Sequence, residues 1–323
     1  MNPIRIVLQR ATQDRPILLL LAEFPDVSPE GFEVQLPTWR PGRYELGNFA
    51  QYIFSVEGMD GAGNWIRLKK SELHRWIVPA GMSRLRWSYY AEELNAGSTC
   101  IEPGLLYVNP VNCFLYDPSR PNLPFHIVLS DVDPQWSVAT SMEIKGSVLI
   151  ARDLQEVMDS PILAAQELWH RTYEAQGYDF HIWVYGKHIP DEERFVGDHK
   201  KFTEAQIEGF GSFPVPSYHF LYLFPERAVR HGVEHEASTV IAMGPGERVL
   251  TEEGYMEVIG IASHELYHTW NVKQIRPSEW LPYDFTRPQP SRLGYVAEGV
   301  TTYMGDLYLL EAGIVDVDGW CRL

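Results

Sequence analysis

Residues 264–268 read His-Glu-Leu-Tyr-His, and this segment constrains the fold more than any other part of the chain. On an α-helix, residues four positions apart lie on one face, so His264 and His268 would point in the same direction. Two imidazoles placed in this way can bind one Zn²⁺ at about 2.0–2.1 Å each. The preceding residues are mostly apolar and contain no proline, which favours a helix. The pattern predicts a helix over residues 252–270 that carries two metal ligands.

Glu265 follows the first histidine and would point beside the metal rather than at it. A carboxylate in that place can accept a proton from a metal-bound water. We therefore predict Glu265 as the catalytic base.

A catalytic zinc site needs a third protein ligand and an open position for water. Glu298 supplies a suitable carboxylate early in the next predicted helix, residues 294–312, which follows a proline-rich loop. Two antiparallel helices joined by such a loop would face each other. Thr302 and Asp306 share the predicted face of Glu298, and either could orient a ligand imidazole. The sequence thus predicts one Zn²⁺ per chain, held by His264, His268 and Glu298.

The first half of the chain reads as short strands separated by turn residues. Alternating or apolar segments of this kind predict an antiparallel β-sandwich over residues 1–158. We predict its strands at residues 4–8, 17–21, 32–36, 52–56, 65–68, 85–90, 125–129 and 147–150.

The second half has a different character. Strands are predicted at residues 179–185, 218–224 and 236–243, and a further helix at residues 191–209. Together with the two helices described above, these elements predict an α+β catalytic domain over residues 159–323.

The charge of the chain argues against several classes of partner. Its 27 basic and 43 acidic residues give a formal net charge of −16. Such a surface repels nucleic acid and anionic lipid. No apolar run is long enough to span a bilayer, and three cysteines do not make a disulfide framework. We expect no nucleic-acid or membrane partner and a cytoplasmic location; the oligomeric state is left open.

Residues 264–277, HELYHTWNVKQIRP, are similar to the zinc helix of the glycyl aminopeptidase family of gluzincin metallopeptidases. Residues 297–303, AEGVTTY, resemble its third-ligand helix, and residues 39–44, WRPGRY, its amino-terminal β-domain signature. Residues 231–235, HGVEH, resemble its edge-strand motif, although His235 stands where the wider aminopeptidase group has Asn.

The resemblance implies a thermolysin-like zinc peptidase fold and an aminopeptidase that removes small amino-terminal residues such as Gly or Ala from peptides. It also implies that Gly232, Val233, Glu234 and His235 bind substrate. In that reading Glu234 binds the free amine of the peptide, since a carboxylate is the appropriate partner of an ammonium group. The strand edge would pair with the peptide backbone.

Other interpretations remain open on the sequence. The chain could be a catalytically weak or inactive peptide-binding protein that retains the zinc site, or it could use the zinc for another hydrolysis such as epoxide opening. The resembled family continues beyond its third-ligand helix, so we expect the catalytic domain to be incomplete at its carboxyl end and the isolated chain to be a weak peptidase. Lys273 and Arg276 follow the zinc helix, where cations either complement the helix dipole or bind a substrate carboxylate.

Overall fold

The first half of the chain folds into three sheets in a computed structural model that describes residues 1–12, 15–42 and 46–322. Its strands, in chain order, are β1 (Ile4–Thr12), β2 (Arg15–Glu23), β3 (Phe32–Gln35), β4 (Ile53–Met59), β5 (Trp65–Arg67), β6 (Lys69–Glu72), β7 (Arg75–Val78), β8 (Arg84–Tyr90), β9 (Cys100–Glu102), β10 (Leu105–Val108), β11 (Phe125–Leu129), β12 (Ser137–Ala139), β13 (Glu143–Lys145), β14 (Val148–Ala151) and β15 (Ile162–Ala165).

Eight of these strands form the largest sheet, in the order β13-β14-β11-β1-β2-β8-β4-β5. Period-two alternation places one side of the sheet in a core: along β8, Leu85, Trp87 and Tyr89 are buried, whereas Arg84 and Arg86 are exposed. The sheet is antiparallel except where β1 pairs with β11 in parallel. Two smaller sheets accompany it, β12-β15-β10-β9 and β3-β7-β6.

A second unit contains a five-stranded sheet and the long helices. Its strands are β16 (Trp169–Ala175), β17 (Tyr178–Gly186), β18 (Ser217–Phe224), β19 (Val229–Glu234) and β20 (Ser238–Gly244), arranged β16-β17-β18-β20-β19. The α-helices of the described residues are α1 (Pro110–Cys113), α2 (Leu154–Met158), α3 (Glu192–Phe210), α4 (Glu252–Tyr267), α5 (Thr301–Glu311) and α6 (Val317–Trp320). Short 3₁₀ turns cover Phe49–Tyr52, Gly246–Leu250 and Ser278–Trp280, and a π-helical turn covers Tyr295–Val300.

The second sheet is buried on both faces. Along β18, Phe220 and Tyr222 pack against α3 and α4, whereas Leu221 and Leu223 pack against the sheet that contains β10 and β15. This is why the strand reads as a continuous apolar run rather than as an alternating one. β17, β18 and β20 are parallel neighbours, and α3 forms the crossover between the first two.

Contacts between the two halves extend across the predicted boundary at residue 158. β15 begins after that boundary, yet it pairs with β10 and β12 and so belongs to a sheet of the first half. In the other direction, Trp280 and Tyr283 from the loop after α4 enter the core of the first half, where both rings pack against Trp39. The proline-rich loop is therefore a packed part of the interface, because its large aromatic side chains are buried there.

Most of the predicted elements are present in the structure. The predicted helix at residues 191–209 is α3, which begins after Asp191, whose carboxylate accepts a hydrogen bond from Arg194 N. The predicted final helix is divided, because a π-helical turn precedes α5. The strands that were not predicted are β6, β7, β9, β10, β12, β13, β15 and β16. Within the described residues, no helix has the length and apolar character that crossing a membrane requires.

Candidate active site

Helix α4 carries His264 and Glu265 in its last turn, and His268 follows as its C-cap residue with helical backbone angles. The helix therefore ends three residues before the predicted end at residue 270. Thr251 caps its start by accepting a hydrogen bond from Gly254 N, at 3.1 Å. Helix α5 crosses α4 closely at Gly305, where an added Cβ would lie 3.0 Å from His264 Cα. Ser263 Oγ donates to Gly305 O at 2.7 Å in the same contact. The small residue lets the two helices approach, and this brings Glu298 opposite the histidines.

The structure brings His264, His268 and Glu298 together. Nε2 of His264 lies 3.0 Å from Nε2 of His268, and Glu298 Oε2 lies 3.5 and 3.7 Å from these two nitrogens. Ligands placed tetrahedrally at about 2.1 Å from one zinc ion would be separated by about 3.4 Å. The spacing and the chemistry of the three donors therefore fit Zn²⁺, with one tetrahedral position left for a small molecule.

Hydrogen bonds behind the donors orient the rings. His268 Nδ1 contacts Asn271 O at 2.8 Å, which leaves Nε2 free to bind a metal. Asn271 Nδ2 donates to Val296 O and to Thr301 Oγ1, at 2.9 and 3.0 Å, and so links the first ligand helix to the segment that carries Glu298. Asn271 was not predicted as part of the site, because its contact to His268 is made by the backbone carbonyl group, which no side-chain pattern reveals.

Thr302 and Asp306 were both expected to orient a ligand imidazole, but within the described residues only Thr302 lies at hydrogen-bond distance from one. Thr302 Oγ1 lies 3.4 Å from His264 Nδ1 and donates to Glu298 O at 2.9 Å, so it contacts both ligand segments. Asp306 makes no hydrogen bond to either histidine within the described residues. Burial raises the pKa of its carboxyl group.

Glu265 lies next to this donor set and is buried. Its Oε2 atom has no hydrogen-bond partner among the described residues, so it can accept one from a molecule in the cleft. An added Cβ on Gly232 would lie 2.1 Å from Glu265 Oε1. Position 232 must therefore be glycine for the Glu265 carboxylate to hold its place beside β19.

The electrostatic field of the site favours positive charge. Burial raises the pKa of Glu265, with the Glu234 and Glu298 carboxylates adding to the effect against the opposing pull of the histidines. Burial alone would lower the pKa of His268, yet its contact with Glu298 and the neighbouring carboxylates raise it. Three carboxylates around two histidines create a site suited to a cation.

Strand β19 forms one wall of the site at the edge of the five-stranded sheet. Glu234 is buried, and its carboxylate, that of Glu265 and a ring nitrogen of His268 all lie within 4.8 Å of one another. Val233 points to the other side, into the core between the sheets, so only its backbone is available to a substrate.

An added Cβ on Gly42, whose φ is +85°, would lie 2.5 Å from Glu234 Oε2. The first domain thus reaches the Glu234 carboxylate. Arg43 and Tyr44 of the predicted β-domain signature lie outside the described residues.

His235 belongs to a buried ion network. Its Nδ1 lies 3.0 Å from Asp159 Oδ1, and Lys273 Nζ lies 3.0 and 3.1 Å from the two oxygens of the same carboxylate. Burial alone would raise the pKa of Asp159, but Lys273 and His235 hold it well below its usual range. The sequence left two roles open for Lys273, complementing the helix dipole or binding a substrate carboxylate. Neither describes this residue, since its ammonium group is buried against Asp159. Arg276 instead donates to Lys273 O and lies over the Tyr283 ring.

Replacing Lys273 with Met should lower the free energy of unfolding by about 3–5 kcal/mol, because the change leaves the Asp159 charge buried without its cation. Urea denaturation of the two proteins measures the difference. The double variant Asp159→Asn/Lys273→Met removes both charges and should lose less than the single one. Equal losses in the single and double variants would contradict the ion-pair explanation.

An open cleft of about 1300 Å³ leads away from the site. Its walls include Gly232 and Arg230 of β19 on one side and His264, Glu265 and Thr302 on the other. The edge of β19 runs along this cleft, so an extended peptide could lie beside it as an additional strand.

Comparison with known families gives two matches along the chain. The family model of the peptidase M61 N-terminal domain matches residues 14–166, and that of M61 glycyl aminopeptidase matches residues 257–323. No curated protein sequence matches the chain significantly.

Solved structures show the same fold. An aminopeptidase N family protein from Idiomarina loihiensis superposes with a TM-score of 0.92 at 23% identity, over 99% of this chain and 56% of that one. This chain therefore spans little more than half the length of that protein. A mutant M1 zinc metallopeptidase from Deinococcus radiodurans, bound to a Tyr-Ser-Ala substrate, gives 0.51 at 16% identity, over 100% of this chain and 74% of that one. The predicted α+β fold, a β-domain followed by a thermolysin-like peptidase domain, is confirmed.

Proposed function

This chain belongs to the M61 glycyl aminopeptidase family, and on that basis we propose that it is the zinc-binding core of an aminopeptidase. The observation that carries the proposal is that two sets of side chains lie around the ring of His268. One is the metal-type donor set of His264, His268 and Glu298, and the other is the buried pair of carboxylates, Glu234 and Glu265, which lies within 4.8 Å of the same ring.

The residues of the site have separate roles in the proposed hydrolysis of the first peptide bond. Zn²⁺ bound by the three donors would polarise the scissile carbonyl group and increase the acidity of a water molecule. Glu265, whose Oε2 atom has no hydrogen-bond partner in the described part of the chain, takes a proton from that water and passes it to the leaving amine. Thr302 and the Asn271 carbonyl group keep the two imidazole rings oriented.

Glu234 restricts cleavage to the amino end of the peptide. Its buried carboxylate lies beside the reacting centre and binds the ammonium group of a free amino terminus. With the amine held there and the peptide paired to β19, the bond after the first residue lies next to Glu265. A preference for Gly or Ala as the first residue is suggested by the match to the glycyl aminopeptidase family.

Acetylating the amino terminus of a peptide should reduce its hydrolysis by at least about 10²-fold, because acetylation removes the charge that Glu234 binds in a buried place. Release of the first amino acid from matched free and acetylated alanine peptides measures this with the zinc-loaded chain. Glu234→Gln should slow cleavage of the free peptide and leave the blocked one unchanged.

Equal rates on free and blocked peptides would refute the role of Glu234 as amine anchor. Peptide binding by the zinc-loaded chain with no turnover of any peptide would favour the alternative, a peptide-binding protein that retains the zinc site.

A further inference from the structure

Arg230 is an arginine on the wall of the cleft that the proposed reaction does not use. It lies on β19, two residues before Gly232 and four before Glu234, and its side chain is exposed to the cleft. Side chains on a strand alternate between faces, so Arg230, Gly232 and Glu234 lie on the same side. The close contacts of Gly232 and Glu234 with Glu265 and His268 show that this is the side of the reacting centre.

Arg230 is one of two arginines that line this cleft, together with Arg322. The cleft is lined by carboxylates, and two of them are already paired: Glu252 with Arg194 at 2.6 Å and Glu257 with Arg248 at 3.1 Å. The Arg230 guanidinium forms no hydrogen bond or ion pair with the part of the chain that the structure describes. On a cleft wall that otherwise carries many carboxylates, this guanidinium is a local place where an anionic group of a ligand would be favoured.

Distances along the strand indicate which anion would reach it. A strand rises about 3.4 Å per residue, so Arg230 lies about 14 Å from Glu234 and about 7 Å from Gly232. An extended tripeptide spans about 10 Å from its amine to its carboxylate. With its amine at Glu234, it would run antiparallel to β19 and end about 4 Å short of residue 230, a gap that the arginine side chain can bridge.

We propose that Arg230 binds the carboxyl terminus of the substrate, and that the cleft is therefore selective for short peptides, tripeptides above all, with a free carboxylate. The inference rests on the proposed peptidase function and adds the substrate class. Arg230 is placed about two residues beyond the bond next to Glu265, so it contributes to binding the substrate and not to the reacting atoms. Its effect should therefore appear in KM more than in kcat.

The test compares Ala-Ala-Ala as a free acid with the same peptide as a carboxyl-terminal amide. Calorimetry on the zinc-loaded Glu265→Gln variant measures binding without turnover. We expect the acid to bind about tenfold more tightly than the amide, the value of one charge-assisted, partly exposed contact. Adding Arg230→Gln should abolish this preference by weakening the acid alone, whereas Arg230→Lys should keep part of it.

Arg322 provides a matched control, because it lines the same cleft but does not lie on β19. Arg322→Gln should retain the preference for the acid. The proposal is overturned if the acid and the amide bind equally or not at all, if Arg230→Gln retains the preference, or if Arg322→Gln removes it.

Kinetics with the wild-type chain separate this inference from the peptidase function. If the acid is preferred in binding but neither peptide is hydrolysed, the carboxylate site stands and the aminopeptidase proposal fails. If both peptides are hydrolysed with equal KM, the peptidase stands and the role of Arg230 is wrong.

Discussion

Replacing Glu265 with Gln should lower kcat by about 10²–10⁴-fold while zinc remains bound. The amide has nearly the same shape as the carboxylate and fits beside Gly232, but it cannot accept a proton from water. The three donors are unchanged, so the zinc content should stay the same. Turnover of an alanine-reporter peptide and elemental analysis of the same preparation together measure the effect.

Glu253→Gln is the control for this variant. Glu253 lies in the first turn of the same helix and is exposed, so the substitution makes the same chemical change away from the reacting centre. It should leave the rate close to that of the wild type. A Glu265→Gln protein that retains near-native turnover would rule out the assigned role of this residue.

Replacing Glu298 with Ala should weaken zinc binding by about 10²-fold or more. Four-ligand structural zinc sites bind with about 10–16 kcal/mol, which corresponds to about 3 kcal/mol for each ligand. The remaining pair, His264 and His268, would still bind a metal, but weakly. Competition with a chelator of known affinity measures the change, and hydrolysis at a fixed free zinc concentration should fall with it.

Glu311→Ala is the matched control for the zinc measurement, because Glu311 is an exposed carboxylate at the end of α5. Its loss should leave zinc affinity unchanged. If Glu298→Ala binds zinc as tightly as the wild type, then Glu298 is not a ligand, and the position of its carboxylate 3.5 Å from His264 Nε2 has another explanation.

Local chemistry made part of the site predictable. The spacing of His264 and His268 on one helix face follows from helical periodicity alone, and the carboxylate of Glu265 beside them follows from the same geometry. Glu298 was predicted from the need for a third ligand and from its place in the next helix. Strand β16, the division of the last helix and the burial of Trp280 escaped prediction, because each depends on packing against distant residues.

The sequence by itself determined the α+β order of elements and which residues are the candidate donors, since helix and strand periods and zinc-ligand chemistry act over a few residues. Only the tertiary structure decided how these groups meet. Gly305 sets the approach of the two ligand helices, Gly232 leaves space for Glu265, and Asp159 joins His235 to Lys273 across more than a hundred residues of chain. These contacts form between segments that are remote in sequence, so no local period or motif encodes them. The role proposed for Arg230 likewise depends on tertiary structure, because β19 and α4 form the cleft together.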